Sequence, residues 1–157
     1  SWTFDVKTQG WRYHMSNIMA AIGVVQLGRL AELAAKRREL AGRYDQGFKG
    51  HPRIRSLPLD YSHVVPHIYV VRINGLADRD LLRQRLLENG IQTGVHYQPG
   101  HTLSYFRHTA GAWPVTDLIY PELLTLPLHP GLTFADVDHV CAQLDHALVG
   151  IPPERAH

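Results

Sequence analysis

The stretch from Asn17 to Phe48, NIMAAIGVVQLGRLAELAAKRRELAGRYDQGF, contains no proline and consists almost wholly of good helix formers. As one helix it spans roughly 45 Å at 1.5 Å per residue, and the rest of the fold must be arranged around so long an element. Ser16 stands where a side-chain oxygen can accept from the free backbone N–H groups of the first turn. Ile18, Ala21, Ile22 and Val25, then Leu30, Leu33 and Ala34, recur at helical spacing. The first half is the more apolar, so the pattern predicts a buried first half and a partly solvated, Arg/Glu-rich second half. Gly23 and Gly28 weaken such a helix, and the commonest reason for tolerating them is close approach of another backbone. In AKRREL, Ala35 to Leu40, three adjacent cations point in different directions around the axis, which reads as a solvated surface.

Beyond the run, Pro52, Pro58 and Pro66 break helical continuity and make residues 50–66 an extended connection. HIYVVRING, His67 to Gly75, has the β-branched and aromatic content of a strand and ends on an Asn-Gly turn signal. Asp78 caps RDLLRQRLLEN and Gly90 terminates it. IQTGVHY reads as a second strand, TLSYFR as a short helix, VTDLIYPELL as a helix kinked at Pro121, and LTLPL as a strand. Thr133 and Asp136 form a capping-box pattern before VDHVCAQLDHAL, where Val137, Val140, Cys141, Leu144 and Leu148 share one side. This order predicts a small α/β or α+β sheet with helices mainly on one face. The sequence contains no GxGxxG or Walker phosphate loop that would favour a doubly wound nucleotide fold.

Composition narrows the function. The chain of 157 residues fits one domain, with 45% hydrophobic and 19% charged residues, as in a folded globular protein. A formal charge of +2 with dispersed basic residues does not predict a nucleic-acid partner. The sequence has no apolar run of about 18 residues, so no membrane partner is expected, and the single Cys141 suits a reducing cytoplasm. The 11 histidines raise the question of metal binding, but no HExxH or zinc-spaced Cys/His pairing occurs, and no metal site is expected. His63 and His67, like His96 and His101, are merely close in sequence. His129 reads as a turn residue, His139 and His146 as one polar helix face, and Cys141 as a small core residue.

Just before the long run stands GWRYHMSNIMAAIG, where Trp11, Arg12, Tyr13 and His14 bring stacking surfaces and charged donors together. Taken alone, it is a turn whose aromatics pack and whose cations are solvated. This block, the long helix, NGIQTGVHYQPGH and LTLPLHPGLT occur in an order that resembles the DegT/DnrJ/EryC1/StrS sugar aminotransferase family, from about Val6 to Leu148. The resemblance implies pyridoxal phosphate chemistry on the aspartate aminotransferase fold type, with an amino group passed from L-glutamate to a nucleotide-linked keto sugar. It implies a homodimer with composite active sites. It also implies that the chain is the carboxyl-terminal portion of such an enzyme. Residues 1–48 would close the large domain and form a long linking helix, 49–150 would be a small domain with a mainly antiparallel sheet, and 151–157 a tail.

On the same resemblance, Arg12 and His14 reach toward the partner subunit's cofactor phosphate or bound acid. The family often has asparagine and arginine there, so this pair is a variant. Asn17 is a weaker cofactor contact, since Ser16 and Asn17 are first of all helix-start residues. His96 and Tyr97, at a strand end before a Pro-Gly turn, match positions near the substrate, and His101 is a further candidate of that kind. The Schiff-base lysine of the family is expected upstream, and Lys7, Lys36 and Lys49, the three lysines here, stand in other contexts. The isolated chain is therefore expected to be inactive. Two alternatives are a noncatalytic interaction or regulatory subunit of the same fold, and a dehydratase-type relative in which the lysine is replaced.

Overall fold

The proline-free run forms two helices, α1 (Asn17–Gly28) and α2 (Leu30–Gly47), which meet at Arg29 with a bend of 62°. The computed structural model describes residues 5–11, 13–108 and 111–153. Ser16 caps α1 as expected, its hydroxyl accepting from Met19 N at 3.3 Å. The expected continuous helix is corrected at Gly28, a poor helix former, followed by Arg29 at φ −98° and ψ 1°. No atom lies within 4 Å of a Cβ built at Gly23 or Gly28, so neither glycine serves a close backbone approach among the described residues.

Burial along the run is the reverse of the expectation. No residue of α1 is buried, and Ile18, Val24 and Leu27 are 75%, 72% and 68% exposed. In α2 the stripe Ala34, Leu40, Ala41 and Tyr44 is buried. The physical reason is that α2 lies against the sheet and last helix of this chain, whereas α1 finds no apolar surface among the described residues. The cations of α2 are not simply solvated either. Arg37 Nη1 donates to the carbonyls of His67 (3.1 Å) and Leu128 (3.0 Å), and Arg38 Nε donates to Val64 O at 3.2 Å. These bonds tie the helix to two loops.

Three strands, β1 (Ile54–Ser56), β2 (Tyr69–Ile73) and β3 (Leu123–Leu126), form an antiparallel sheet in the order β1-β2-β3. Ile54 pairs with Ile73, Tyr69 with Leu126, and Val71 with Leu124. β1 lies inside the segment read as extended connection, its three residues starting just past Pro52. IQTGVHY is not a strand. Ile91, Thr93 and Val95 are buried in alternation, but pairing with the sheet is confined to a bridge at Gly94, through backbone bonds with Thr125 of 2.9 and 2.8 Å.

The remaining helices are α3 (Arg79–Glu88), α4 (Pro114–Ile119) and α5 (Phe134–Ala147). Asp78 caps α3 through Leu81 N at 2.8 Å, and Gly90 leaves it with φ +76°. TLSYFR resolves into parts of two 3₁₀ turns, Gly100–Thr102 and Ser104–Phe106. Pro121 does not kink a helix: α4 ends at Ile119 and a 3₁₀ turn, Tyr120–Glu122, leads straight into β3. Proline has no N–H to continue the ladder, so the turn is where helix gives way to strand. The capping box at α5 is formed, with Thr133 N donating to Asp136 Oδ2 at 2.8 Å and Asp136 N to Thr133 Oγ1 at 3.2 Å.

The core joins Leu40 and Tyr44 of α2, Val71 and Ile73 of β2, Leu82 and Leu86 of α3, Leu124 and Leu126 of β3, and Val137 and Leu144 of α5. Tyr44 is fully buried, and its hydroxyl donates to Pro127 O at 2.9 Å. Cys141 packs on the rim of this cluster, where burial pushes its thiol up to about 11. A thiol so placed stays protonated and inert near neutral pH. Among the described residues no single helix is long and apolar enough to cross a membrane.

Candidate functional site

Strand alternation places the first candidate. Leu124 and Leu126 of β3 join the core, so Thr125 between them faces the opposite side of the sheet. There the His96 ring meets it, with Nδ1 3.0 Å from Thr125 Oγ1. Gly94 makes room, because a Cβ on that residue would lie 3.0 Å from His96 Cε1. The Tyr97 ring stands edge-on to His96 at 4.7 Å between centroids and is 62% exposed. The peptide joining the two residues is cis. His96 Nε2 and the Tyr97 hydroxyl have no partner among the described residues, which leaves both free for a ligand.

His101 lies in the first 3₁₀ turn. Its Nε2 is 2.8 Å from Asp117 Oδ1 of α4, and its ring lies near-parallel to Trp113, 23° between planes and 6.2 Å between centroids. Gln98 Nε2 donates to Thr102 Oγ1 at 3.2 Å and Thr102 Oγ1 to Pro99 O at 2.7 Å, which stiffens the loop between Tyr97 and His101. The second turn is clasped from the opening segment. Ser104 donates to Asp5 through its backbone N (2.7 Å) and its hydroxyl (2.6 Å), and Tyr105 N donates to Val6 O at 2.6 Å. The Ser104 bonds hold the Asp5 carboxyl below its usual range.

The structure thus brings the start of the chain against the loop that follows His96, over 99 residues of sequence separation. It does not join the two candidate sets completely. His14 and Asn17 are exposed, Asn17 is the first residue of α1, and the hydrogen bonds and ring contacts of His96, Tyr97 and His101 go to other residues. Arg12 lies outside the described residues. Sequence reading missed Thr125, Asp117, Trp113 and the Asp5–Ser104 clasp. Only Thr125 carried a signal, as the polar residue between leucines in LTLPL.

These residues do not by themselves fit pyridoxal phosphate. Lys36 Nζ lies 5.1 Å from the Phe134 ring centroid at the α2–α5 contact, and Lys7 and Lys49 are exposed. No lysine is bonded to a candidate residue among those described. Nor does any group of three or more His, Cys, Asp and Glu come together there as metal ligands.

The fold is that of the equivalent part of solved sugar aminotransferases. TlmJ of Streptoalloteichus hindustanus is 34% identical, with a TM-score of 0.76 over 96% of this chain and 41% of its own. The PLP form of the putative sugar aminotransferase Spr1654 of Streptococcus pneumoniae is 30% identical, with a TM-score of 0.81 over 97% of this chain and 40% of its own. Helicobacter pylori PseC, an aminotransferase involved in the biosynthesis of pseudoaminic acid, is 25% identical, with a TM-score of 0.80 over 91% and 40%. This chain therefore spans about two-fifths of these relatives' length. A sequence model of the DegT/DnrJ/EryC1/StrS aminotransferase family matches residues 2–145, and the chain belongs to that family.

Proposed function

We propose that this chain supplies the carboxyl-terminal portion of a pyridoxal phosphate-dependent aminotransferase that moves an amino group from L-glutamate to a nucleotide-linked keto sugar. The observation that carries the reading is the superposition of nearly the whole chain on about two-fifths of enzymes described as sugar aminotransferases. When bound, the cofactor supplies the electron sink that amino transfer requires. The lysine and the phosphate cradle that hold it belong to the remaining part of the enzyme. This chain contributes binding and orientation.

In the assembled cytoplasmic homodimer, each active site borrows from its neighbour. His14 and Arg12 precede α1 and face the partner subunit's cofactor phosphate or the glutamate carboxylate, where a guanidinium offers a bidentate donor pair. Asn17, at the start of α1, is the weaker contact in that group. His96, Tyr97 and His101 face the keto sugar. The Thr125 contact to Nδ1 orients the His96 ring, and His96 Nε2 and the Tyr97 hydroxyl are the groups that would bind the sugar.

The test adds pyridoxal phosphate to the purified chain and looks for an absorption band that borohydride fixes to a lysine. None is expected. A stoichiometric adduct on Lys7, Lys36 or Lys49 overturns the division of labour. Joining the chain to the remaining part of a relative should restore glutamate-dependent amination, and Arg12→Ala should then weaken cofactor or glutamate binding while the dimer stays intact.

A further inference from the structure

We propose that Trp113, His101 and Asp117 form a seat for the pyranose ring of a hexose. The inference rests on the sugar-substrate reading above and goes further by assigning the residues that hold the ring.

A pyranose presents an apolar face of C–H bonds and an edge of hydroxyl donors. The three residues match both. Trp113 is 49% exposed, so its indole offers a flat apolar surface that the core does not use. The imidazole of His101 is stacked near-parallel to the indole, 23° between planes and 6.2 Å between centroids, which brings its polar atoms beside the aromatic surface. A carboxylate can only accept, so the 2.8 Å bond to Asp117 Oδ1 puts the His101 proton on Nε2. Nδ1 is then left as an acceptor. Asp117 Oδ2 is a second acceptor, and neither has a partner among the described residues. Gln98 Oε1, on the same loop, is a third acceptor, buried and without a partner.

Two acceptors beside an aromatic face, with a third on the same loop, suit the hydroxyls of a neutral ring. They do not suit a phosphate, which the Asp117 carboxylate would repel. The loop is held for this task at both ends, by the Asp5–Ser104 clasp on one side and the His96–Thr125 contact on the other. Asp117 acts as a positioning residue that fixes the imidazole's tautomer and angle, and also presents its own free oxygen.

The experiment is saturation-transfer NMR on the 157-residue chain, with methyl α-D-glucopyranoside and uridine diphosphate as separate probes. Transfer to the glycoside ring protons is expected. Trp113→Ala should weaken binding roughly fivefold, the equivalent of one aromatic contact. Asp117→Asn, which preserves shape, should weaken it roughly threefold, as loss of one hydrogen bond does. Any signal from uridine diphosphate should be the same in both variants. Amide spectra of the variants report whether the fold is kept. Absence of transfer to the glycoside, or equal transfer in wild type and both variants, overturns the proposal. Either result leaves the aminotransferase reading standing if the joined enzyme aminates its substrate, so the two failures are distinguishable.

Discussion

His96 owes its position to two neighbours that differ in kind: Thr125, which gives it a polar partner, and Gly94, which gives it space. Replacing Thr125 by valine keeps the shape but leaves a part-buried imidazole nitrogen unpaired. Urea unfolding should register a loss of about 1 kcal/mol, and the His96 ring resonances should broaden as the ring loses its preferred rotamer. A second residue-scale prediction concerns acid. Bonds from the Thr133 backbone and hydroxyl hold the Asp136 carboxyl below its ordinary value of 3.8. A depressed carboxyl stabilises the fold above its unfolded pKa and loses that contribution as pH falls through the folded value. Melting midpoints measured from pH 7 down to pH 2.5 should therefore fall less steeply below about pH 5 in Asp136→Asn than in wild type. Equal slopes would assign the acid sensitivity to other carboxyls. The capping box behind this prediction was legible because its two residues are three apart. The partner of His96 was not, because 29 residues separate the pair and only the pleat of β3 brings them together.

Among the elements, the contrast between α1 and α2 is the most instructive. Helix propensity marked the whole run as helical, since it is a local property, but not the break at Gly28 that divides it. Burial was inverted, because hydrophobicity says which surface needs cover and not whether the cover lies on the same chain. α1 carries no charged residue and buries none, while α2 carries Arg37, Arg38 and Glu39 and still places Leu40, Ala41 and Tyr44 in the core. The two helices should respond oppositely to substitution. Tyr44→Ala empties a fully buried site and removes the bond to Pro127, and should cost about 3–5 kcal/mol in urea unfolding. Val25→Glu, at a residue 65% exposed, should leave the unfolding midpoint of the chain unchanged and reduce its self-association in sedimentation. A large destabilisation by Val25→Glu would mean that α1 packs on the body of this chain after all.

At the scale of the molecule, the sheet, α2, α3 and α5 form one core, while α1 lies outside it, mostly apolar and with no charged residue on any face. A helix of that kind is stable when surrounded, and the solved relatives carry about three-fifths of their length beyond the part this chain matches. The ordered blocks made the family readable from sequence, but not this arrangement, since the apolar first half of the run was expected to be buried. The hydrophobic pattern alone does not tell what covers α1, and none of its residues is buried among the described ones. Hydrogen exchange can separate the two levels of organisation. In the chain alone, amides of α1 should exchange far faster than those of α2, although one uninterrupted helical run encodes both. Joined to the remaining part of a relative such as the Streptococcus pneumoniae enzyme, α1 should gain protection of roughly a hundredfold or more, with α2 and α5 little changed. If α1 is already protected in the isolated chain, or gains nothing on joining, then its apolar surface is not a contact for the part of the relatives that this chain does not match.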